Sequence, residues 1–358
     1  MGILKNTLKK LFNNVTKVYS DIVINRKIVL PAFKLKRNLP VNLIASDLPY
    51  FTDSVNGEFE AITEAVLENA YLAVTEGLII KGFRIVDESL MEPNIRHWYG
   101  THLFKPYLKH EKLENDNYLM VFNHFGSGYG HWLVDILPRL YVKKNELKNF
   151  KILFPTDYNR FQLDSLLPFG IDEANIRYVK YSKYYKIPKV TVLSHIGTSC
   201  NTKDEILQEL RGLYLTNYFG KTKPEPIKKI YISRMGMVNR NVINETEVEQ
   251  LIERYDFEVI RPQNYSFEQQ VKMFAECKVL IGLTGSGLTN MLFMQSGASV
   301  IEFKMENDYQ DFHYFSMSSA MNLDYYYLMC SAVGDNRLTA DFKVDTLKLE
   351  EILKSLHN

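Results

Sequence analysis

The chain has 358 residues, enough for two α/β domains of ordinary size that each bury their own core. Hydrophobic residues make up 46% of it and charged residues 24%, the composition of a folded globular protein and not of a disordered one. A net charge of +1 gives no positive field over the molecule, so the composition argues against nucleic acid as a partner.

The cysteines and the apolar runs narrow the class of protein further. Cys200, Cys277 and Cys330 are far apart and form no CxxC pair, so neither a disulfide framework nor a zinc site is predicted. This usage fits a reducing compartment. No apolar run reaches the roughly 20 residues that a membrane-spanning helix needs, and no signal-peptide core follows the first lysines.

Residues 1–20 have the pattern of a basic amphipathic helix. Leucine, phenylalanine and valine recur at helical spacing from Leu4 to Val18, and most of the lysines lie off that stripe. Such a helix can lie on an anionic membrane surface, dock on the protein's own body or contact a second copy. Together with the cysteine usage, the pattern predicts a cytoplasmic protein, with peripheral contact at the inner face of the membrane as one alternative.

Residues 21–220 are predicted to form the first domain. Residues 61–100 read as short strands that precede its main sheet. From about residue 117, the predicted strands YLMVFN, KILFP, RYVKY and KVTVLS alternate with the predicted helices GHWLVDILPRLYVKK and NRFQLDSLLPFG. This rhythm indicates half of a doubly wound, Rossmann-like sheet. A long helix, KDEILQELRGLYLTNYF, ends the domain.

The segment KTKPEPIKK is predicted to be a linker because of its prolines and lysines. Beyond it, residues 221–340 are predicted to form a second Rossmann-like domain, in which the strands KIYISR, FEVI, KVLIGL and ASVIEF alternate with three helices. Residues 341–358 contain a final amphipathic helix. The predicted fold class is therefore α/β of the GT-B-like kind, with two Rossmann-like domains facing a central cleft, the usual place for a ligand.

Two helices of the second domain have starts with capping-box spacing. Asn244 is followed three residues later by Glu247, and Ser266 by Gln269. In this pattern each side chain is expected to satisfy a backbone N–H group at the start of the helix. We therefore predict that helices begin at these two positions.

The strongest local motif is LTGSGLTN at residues 283–290, which follows a predicted strand and opens a predicted helix. Gly285 and Gly287 permit a tight turn and a close approach of a ligand to the first N–H groups of the helix, and a diphosphate suits that position. The dinucleotide fingerprint is incomplete, because Asn290 stands at its last position and no acidic residue follows at the required distance. The alternative is a turn needed only for packing.

Three further side chains lie near predicted strand ends in the same domain. Glu302 is expected at the end of ASVIEF, where its carboxylate could accept hydrogen bonds from ribose hydroxyls or could simply face solvent. Arg234 and Arg240 flank the loop after KIYISR. Guanidinium groups in such a loop can clamp phosphate oxygens and stabilise the charge on a leaving diphosphate, although ordinary surface arginines are equally compatible with the sequence.

In the first domain, the predicted helix after NHFGSGYG places His131, Asp135 and Arg139 on one face. His131 follows a glycine-rich loop, so its imidazole could remove a proton from a hydroxyl group, and Asp135 could act as the base itself or orient His131. The alternative is an ion pair between Asp135 and Arg139 within the helix, with His131 as a polar cap.

Taken in order, the motifs GHWLVDILPRL, YISRMGMVNRNVINETEV, QNYSFEQQVKMF and GSGLTNMLFMQSGASVIEF resemble those of the family-61 glycosyltransferases. That family includes bacterial capsule and surface-polysaccharide enzymes and eukaryotic xylosyl- and N-acetylglucosaminyltransferases. The resemblance covers about residues 115–305. It implies a GT-B-type fold with an acceptor-side N-terminal domain, a nucleotide-sugar-binding C-terminal domain and an inverting mechanism.

The resemblance implies catalytic roles for His131 and Asp135. The donor-binding residues that it implies are Arg234, Arg240, Thr284, Gly285, Ser286, Gly287, Asn290 and Glu302. The chain departs from the family at Thr284, because members usually have His-Gly-Ala-Gly where this sequence has Thr-Gly-Ser-Gly. A threonine can hydrogen-bond a phosphate or a sugar hydroxyl, but it cannot take up a proton at neutral pH. The alternative function is therefore a catalytically degenerate protein that binds a nucleotide or a glycan.

No DxD pair lies beside a strand end in the second domain, since Asp308 and Asp311 are isolated. Transfer without a metal site or a cofactor is therefore expected. The expected partners are a nucleotide sugar as substrate and a glycan or lipid-linked glycan as acceptor. The family resemblance implies a role in making capsule, lipopolysaccharide or another surface polysaccharide.

Overall fold

The structure, a computed structural model, describes residues 25–91, 103–197, 201–308, 313–334, 336 and 339–356. The predicted helix of residues 1–20 lies outside these ranges, as do Cys200 and Asp311. Contacts divide the chain into two compact units, of which the first comprises Met1–Phe33 and Phe59–Thr198 and the second comprises Lys34–Glu58 and Ser199–Asn358. In the described part of the chain, no helix is both long enough and apolar enough to cross a bilayer.

Strands and helices of mixed order make up both units, which confirms the predicted α/β class. The strands are β1 (Asn25–Leu30), β2 (Phe33–Lys36), β3 (Asn56–Phe59), β4 (Ile62–Ala73), β5 (Leu78–Lys81), β6 (Arg84–Ile85), β7 (Glu111–Lys112), β8 (Asn117–Met120), β9 (Lys151–Pro155), β10 (Ile176–Val179), β11 (Tyr184–Leu193), β12 (Lys228–Ile232), β13 (Glu258–Ile260), β14 (Cys277–Leu283), β15 (Ser299–Met305), β16 (Asp324–Val333) and β17 (Asp341–Lys343). The α-helices are Thr52–Val55, Lys105–Leu108, Tyr129–His131, Leu137–Val142, Arg160–Asp164, Asp204–Phe219, Glu245–Glu253, Phe267–Ala275, His313–Ala320 and Thr346–Ser355. A π-helical turn spans Trp132–Ile136, and a 3₁₀ helix spans Ser286–Phe293.

The first unit contains a mixed sheet with the strand order β10-β9-β8-β11-β4-β5-β6, in which β1 also pairs with β4 and β7 with β11. The four predicted strands β8, β9, β10 and β11 are mutually parallel, as expected. The sequence suggested that the strands of residues 61–100 precede this sheet. In the structure these strands belong to the sheet and extend it. β4 pairs antiparallel with β11 along its length, because its alternating buried side chains cover the same core.

The second unit contains a sheet with the order β13-β12-β14-β15-β16-β17, of which all but the last strand are parallel. Counted from β12, this order is 2-1-3-4-5, the arrangement of the flavodoxin-like doubly wound fold. Its core includes Val248, Ile281, Ile301, Phe303 and Leu349. The predicted alternation of strands and helices is confirmed here, because strands buried on both faces appear in the sequence as apolar runs. β16 has no counterpart among the strands predicted from the sequence.

The second unit begins before the predicted linker. The helix Asp204–Phe219 packs Tyr214 edge-on against Phe267 and Phe293, so this helix belongs with the second core. Linker composition marks where the chain is exposed, but it does not show which core an amphipathic helix joins.

An earlier stretch of chain, Lys34–Glu58, also belongs to the second unit. Arg37 is buried there, and its Nη2 atom donates to Asn201 Oδ1 at 3.0 Å and to the Thr202 carbonyl at 3.1 Å. The same guanidinium forms an ion pair with Asp204. These bonds satisfy a buried charge and fix the stretch to the start of the long helix.

One of the two predicted capping boxes is confirmed. Ser266 Oγ accepts from the Gln269 N–H at 3.2 Å, and Gln269 Oε1 accepts from the Ser266 N–H at 2.8 Å. The helix predicted after Asn244 does begin there, at Glu245, but the side-chain cap predicted for Asn244 is absent. Its side chain forms no cap but binds both backbone groups of Val344, at 2.9 and 3.0 Å, because β17 and the last helix return to this position.

We predict that Ser266→Ala destabilises the second unit by about 1 kcal/mol, because the substitution leaves the Gln269 N–H without its cap. Ser266→Thr retains the hydroxyl group and is the matched control, with an expected loss of a few tenths of a kcal/mol. Equilibrium denaturation measures both values. Equal free energies of unfolding for the alanine variant and the wild type would contradict the assigned cap.

Candidate active site

The two predicted donor motifs meet at one edge of the second sheet. β12 and β14 are parallel neighbours, so their carboxyl ends lie side by side. Arg234 follows β12, and Gly285 follows β14. A Cβ atom built on Gly285 would lie 3.2 Å from Arg234 Nη1, so the guanidinium lies directly against the turn. In a 2-1-3-4-5 sheet this edge is the topological switch point, where such folds bind their ligands.

Arg234 also organises the loop that follows β12. Its Nε donates to the Arg240 carbonyl at 2.6 Å and its Nη2 to the Asn239 carbonyl at 3.0 Å. Glu245 Oε1 accepts from the Arg234 N–H and from the Tyr231 hydroxyl, each at 2.9 Å, and so fixes the chain where it leaves the sheet. Two donor edges of the guanidinium are therefore occupied by the loop, and Nη1 is the atom that faces the turn.

Arg240 brings a second positive charge into this loop. Burial, and then the charge of Arg240, lower the pKa of Arg234. Arg240 has a φ of 59°, a left-handed conformation that costs a residue with a Cβ about 1–2 kcal/mol. Its Nε is buried and makes no hydrogen bond within the described residues. Strain and unsatisfied donors of this kind are concentrated at functional sites.

The turn presents its backbone to the same edge. Ser286 is exposed, Gly285 and Gly287 are half-buried, and the helix that follows begins at Ser286. Gly287 is also required by packing, because a Cβ there would lie 3.2 Å from Ile232 Cγ2. The first N–H groups of this helix and Arg234 thus lie together at the edge, an arrangement suited to phosphate oxygens.

Two other predicted donor residues lie behind the turn. Thr284 is 2% exposed and Asn290 is fully buried. The Asn290 amide donates to the Gly287 carbonyl at 3.1 Å and to Gln270 Oε1 at 3.3 Å, so it ties the turn to the neighbouring helix. These positions favour a supporting role for both side chains. Direct contact with a donor stays a prediction.

The predicted position of Glu302 at a strand end is wrong. β15 continues to Met305, so Glu302 lies in mid-strand, where its backbone is paired with Gly282 and Tyr327. Its side chain is 1% exposed, and the Tyr325 hydroxyl donates to Oε2 at 2.6 Å. The strand has two further residues after the apolar run VIEF, and the sequence did not indicate them because a lysine next to an apolar pattern resembles a strand end. This buried position does not favour contact with a ribose.

In the first unit, His131 and Asp135 form a hydrogen-bonded pair. His131 Nδ1 lies 2.7 Å from Asp135 Oδ2, and the two side chains are 37% and 3% exposed. Asp135 lies within the π-helical turn Trp132–Ile136, which begins directly after His131 and is a local distortion that is common at functional sites. The carboxylate is therefore held inside the unit, while the imidazole is open to a ligand.

The pairing of Asp135 with Arg139, the alternative raised by the sequence, does not occur. Arg139 is fully buried and donates to the carbonyls of Val121, Leu193 and Glu88. Burial lowers its pKa to about 9, and the charge of Asp135 opposes that shift. The Arg139 guanidinium is engaged by these backbone carbonyls instead of by the Asp135 carboxylate.

The pair has the chemistry of a general base. A carboxylate can only accept, so the hydrogen of neutral His131 resides on Nδ1, and Nε2 keeps its lone pair. The ring of Phe125 stacks on the imidazole at 5.0 Å between centroids and limits its rotation. Asp135 can stabilise the imidazolium that forms once Nε2 has taken up a proton.

His195 was missed by the sequence analysis. It follows β11 and is buried, with Nε2 3.3 Å from Arg139 Nη1. Because arginine only donates, Nε2 accepts and the hydrogen resides on Nδ1. Burial, followed by the charges of Arg139 and His131, lowers the pKa of His195 well below 6.5. The sequence feature that could have identified His195 is its position, because it is a titratable residue directly after a predicted parallel strand.

Tyr314 was also missed. It is buried in the helix His313–Ala320, and its phenol raises the pKa of Arg234, so it lies near the turn. Its position depends on where this helix packs, which no local motif indicates. Among the described residues, no group of three or more histidine, cysteine, aspartate or glutamate side chains is arranged to hold a metal ion.

We predict that His195 makes the protein less stable as the pH falls below about 6.5. The unfolded chain then binds a proton that folded His195 does not, which costs up to about 1.4 kcal/mol per pH unit. His195→Gln keeps an acceptor for Arg139 but does not titrate, so its free energy of unfolding should decline less steeply from pH 6.5 to 5. Denaturation curves measured across this range give both slopes, and equal slopes would contradict a neutral buried His195.

Comparisons with known proteins agree with the family resemblance that the order of the motifs indicates. The family model described as Glycosyltransferase 61 matches residues 129–301, a range that includes His131, Arg234 and the glycine turn. The EGF domain-specific O-linked N-acetylglucosamine transferase of Drosophila melanogaster is 27% identical over 125 residues, which are 34% of this chain. The match spans 23% of that relative's length. The family resemblance is confirmed in that residues 129–301 of the chain match the glycosyltransferase 61 family model.

Proposed function

We propose that the protein is an inverting glycosyltransferase that moves a sugar from a nucleotide-sugar donor to a hydroxyl group of a glycan or lipid-linked glycan. The observation that carries this proposal is the contact of Arg234 with the turn at Gly285, at the switch point of a parallel sheet within a family-61 domain. A cationic group beside a helix start at this edge is suited to a diphosphate.

The donor diphosphate binds the N–H groups that follow Gly285, and Arg234 Nη1 donates to one of its oxygens. Arg240 adds a second positive charge on the loop side. The charge that grows on the leaving diphosphate is stabilised by these groups and by the positive end of the helix. Because this arrangement supplies the electrophilic assistance that a metal ion often gives, we propose transfer without a metal site.

The reaction is a single displacement. The acceptor oxygen forms a bond to the anomeric carbon while the bond from that carbon to the diphosphate oxygen breaks, and the diphosphate leaves with the electron pair. The proton of the acceptor hydroxyl passes to His131 Nε2, and Asp135 stabilises the resulting imidazolium. Attack from the face opposite the leaving group inverts the anomeric configuration.

The wider context is also part of the proposal. The division into two units and the doubly wound second sheet support a GT-B-type fold, with acceptor recognition in the first unit and donor binding in the second. The motifs shared with surface-polysaccharide enzymes support a role in making capsule, lipopolysaccharide or a related glycan. The basic pattern of residues 1–20 supports a cytoplasmic protein at the inner face of the membrane.

We predict that one nucleoside diphosphate, or its sugar, raises the melting temperature in a screen of UDP, GDP, CMP, ADP and their common sugars. The relative's name contains N-acetylglucosamine, so nucleotide-activated N-acetylglucosamine is the first donor sugar to test. Addition of EDTA or manganese should leave the shift unchanged. No shift with any nucleotide would overturn the donor site, whereas a shift with no turnover would favour a degenerate binding protein, in keeping with Thr284.

Ser286→Glu gives a sharper test of the same site. The residue is exposed at the first position of the helix, where a carboxylate favours helix stability but repels a diphosphate. We predict an unchanged or slightly raised melting temperature without ligand, and a nucleotide affinity that is lower by about tenfold or more. Ser286→Gln has a similar size without the charge and should lose less affinity. Equal nucleotide affinities for the two variants would contradict a diphosphate at the helix start.

The pair in the first unit is tested by the rate at which the donor releases its nucleotide. His131→Ala removes the base, so we predict a rate about 10²–10⁴ times lower. Asp135→Asn no longer fixes the hydrogen on Nδ1 and should also slow the reaction. Nucleotide-induced stabilisation should persist in both variants, because neither residue is assigned to the donor.

The matched control for Asp135 is Asp164→Asn. Asp164 belongs to another i, i+4 pair of the first unit, in which Arg160 Nε lies 2.7 Å from Oδ1, but it has no proposed role. Its nucleotide-release rate should equal that of the wild type. Wild-type rates for both His131→Ala and Asp135→Asn would show that the base lies elsewhere.

A further inference from the structure

A cavity of about 380 Å³ lies in the first unit, apart from the edge assigned to the donor. Its walls come from Arg26 and from segments within residues 59–63, 87–91 and 194–197. This volume lies toward the lower end of the range of about 300–1,000 Å³ found for small-molecule sites. The cavity is therefore large enough for a small ligand.

The polar wall of the cavity is held rigidly. Glu88 is 1% exposed and accepts from Arg26 Nε at 2.6 Å, from Arg26 Nη2 at 3.1 Å and from Thr63 Oγ1 at 2.9 Å. Ser194 Oγ accepts from the Thr63 N–H at 2.9 Å. A ligand meets polar groups that are already oriented, so little entropy is lost in ordering them.

The charge of the wall selects against anions. Among the described residues that line the cavity, the carboxylates of Glu60 and Glu88 stand against one guanidinium, that of Arg26. His195 also lines the cavity, and burial keeps it neutral, so it adds no positive charge. A phosphate or a carboxylate ligand would be repelled here, whereas hydroxyl groups can donate to the carboxylates.

The rest of the lining is apolar. Phe59, Ile62, Leu90 and Met91 offer surfaces for C–H groups. A neutral sugar ring combines such C–H faces with a rim of hydroxyl groups, and it carries no charge to be repelled. This combination matches the cavity better than a nucleotide or an extended apolar chain does.

We propose that this cavity binds a neutral sugar residue of the acceptor. The inference rests on the proposed transfer reaction, since that reaction requires an acceptor. His195 lines the cavity and accepts from Arg139 at 3.3 Å, and the helical stretch that carries Arg139 also carries His131. One wall of the cavity therefore contacts the helical stretch that carries the proposed base.

The test is saturation-transfer NMR with methyl glycosides of neutral hexoses and N-acetylhexosamines, and with methyl glucuronide as the anionic probe. Ala61 lines the cavity between two strands, so Ala61→Trp fills the space without removing a polar contact. Ala174→Trp, at an exposed position of the same unit, is the matched control. At least one neutral glycoside should bind the wild type and the control about tenfold more tightly than Ala61→Trp, and more tightly than the glucuronide binds.

Glu60→Lys provides a second readout if the Ala61→Trp variant does not fold. Glu60 is exposed, and reversing its charge should narrow the preference for neutral over anionic glycosides by about threefold. Binding that survives Ala61→Trp, absence of binding by every neutral glycoside, or preference for the glucuronide would overturn the proposal.

Two further measurements distinguish binding at this cavity from binding at the donor site. Displacement of the glycoside by the stabilising nucleotide sugar, but not by the free nucleotide, would assign the cavity to the donor's sugar and overturn the acceptor assignment. Nucleotide-induced stabilisation should be unchanged in Ala61→Trp. If no nucleotide binds any variant while the glycoside still binds, the result contradicts the proposed transfer reaction but still supports a sugar site in the cavity.

Discussion

Adjacent strands of a parallel sheet end at the same edge, and this constraint brings the candidate donor site together. It sets Arg234, after β12, against Gly285, after β14, although the two are far apart in the sequence. The strand order places this edge at the switch point of the sheet. Glu245, Arg240 and Asn290 then act through these two elements, because each holds either the loop or the turn in place.

The first unit depends on a different constraint, the burial of Arg139. A buried guanidinium needs hydrogen-bond acceptors, and here backbone carbonyls and His195 accept from Nη1 and Nη2 of Arg139, while Nε makes no hydrogen bond within the described residues. Arg139 therefore does not pair with Asp135, whose carboxylate is left to bind His131. The orientation of the candidate base is thus a consequence of how the helix and β11 pack together.

The sequence predicted those features that depend on local pattern. Apolar runs indicated the parallel strands of the second unit, and Ser266 with Gln269 indicated a capped helix start. The sequence did not predict the features that are determined by tertiary contacts. Pairing of β4 with β11, the return of Val344 to Asn244 and the mid-strand position of Glu302 all depend on which distant segment arrives, and neither periodicity nor spacing contains that information.

The central claim is that the edge formed by Arg234 and the glycine turn binds the donor diphosphate. Hydrogen exchange of the backbone amides, followed by mass spectrometry with and without the stabilising nucleotide, tests it most directly, because those amides are the proposed ligands. The account predicts slower exchange in peptides that cover residues 233–241 and 284–290. Unchanged exchange in both peptides, with slowing in other parts of the chain, would contradict it.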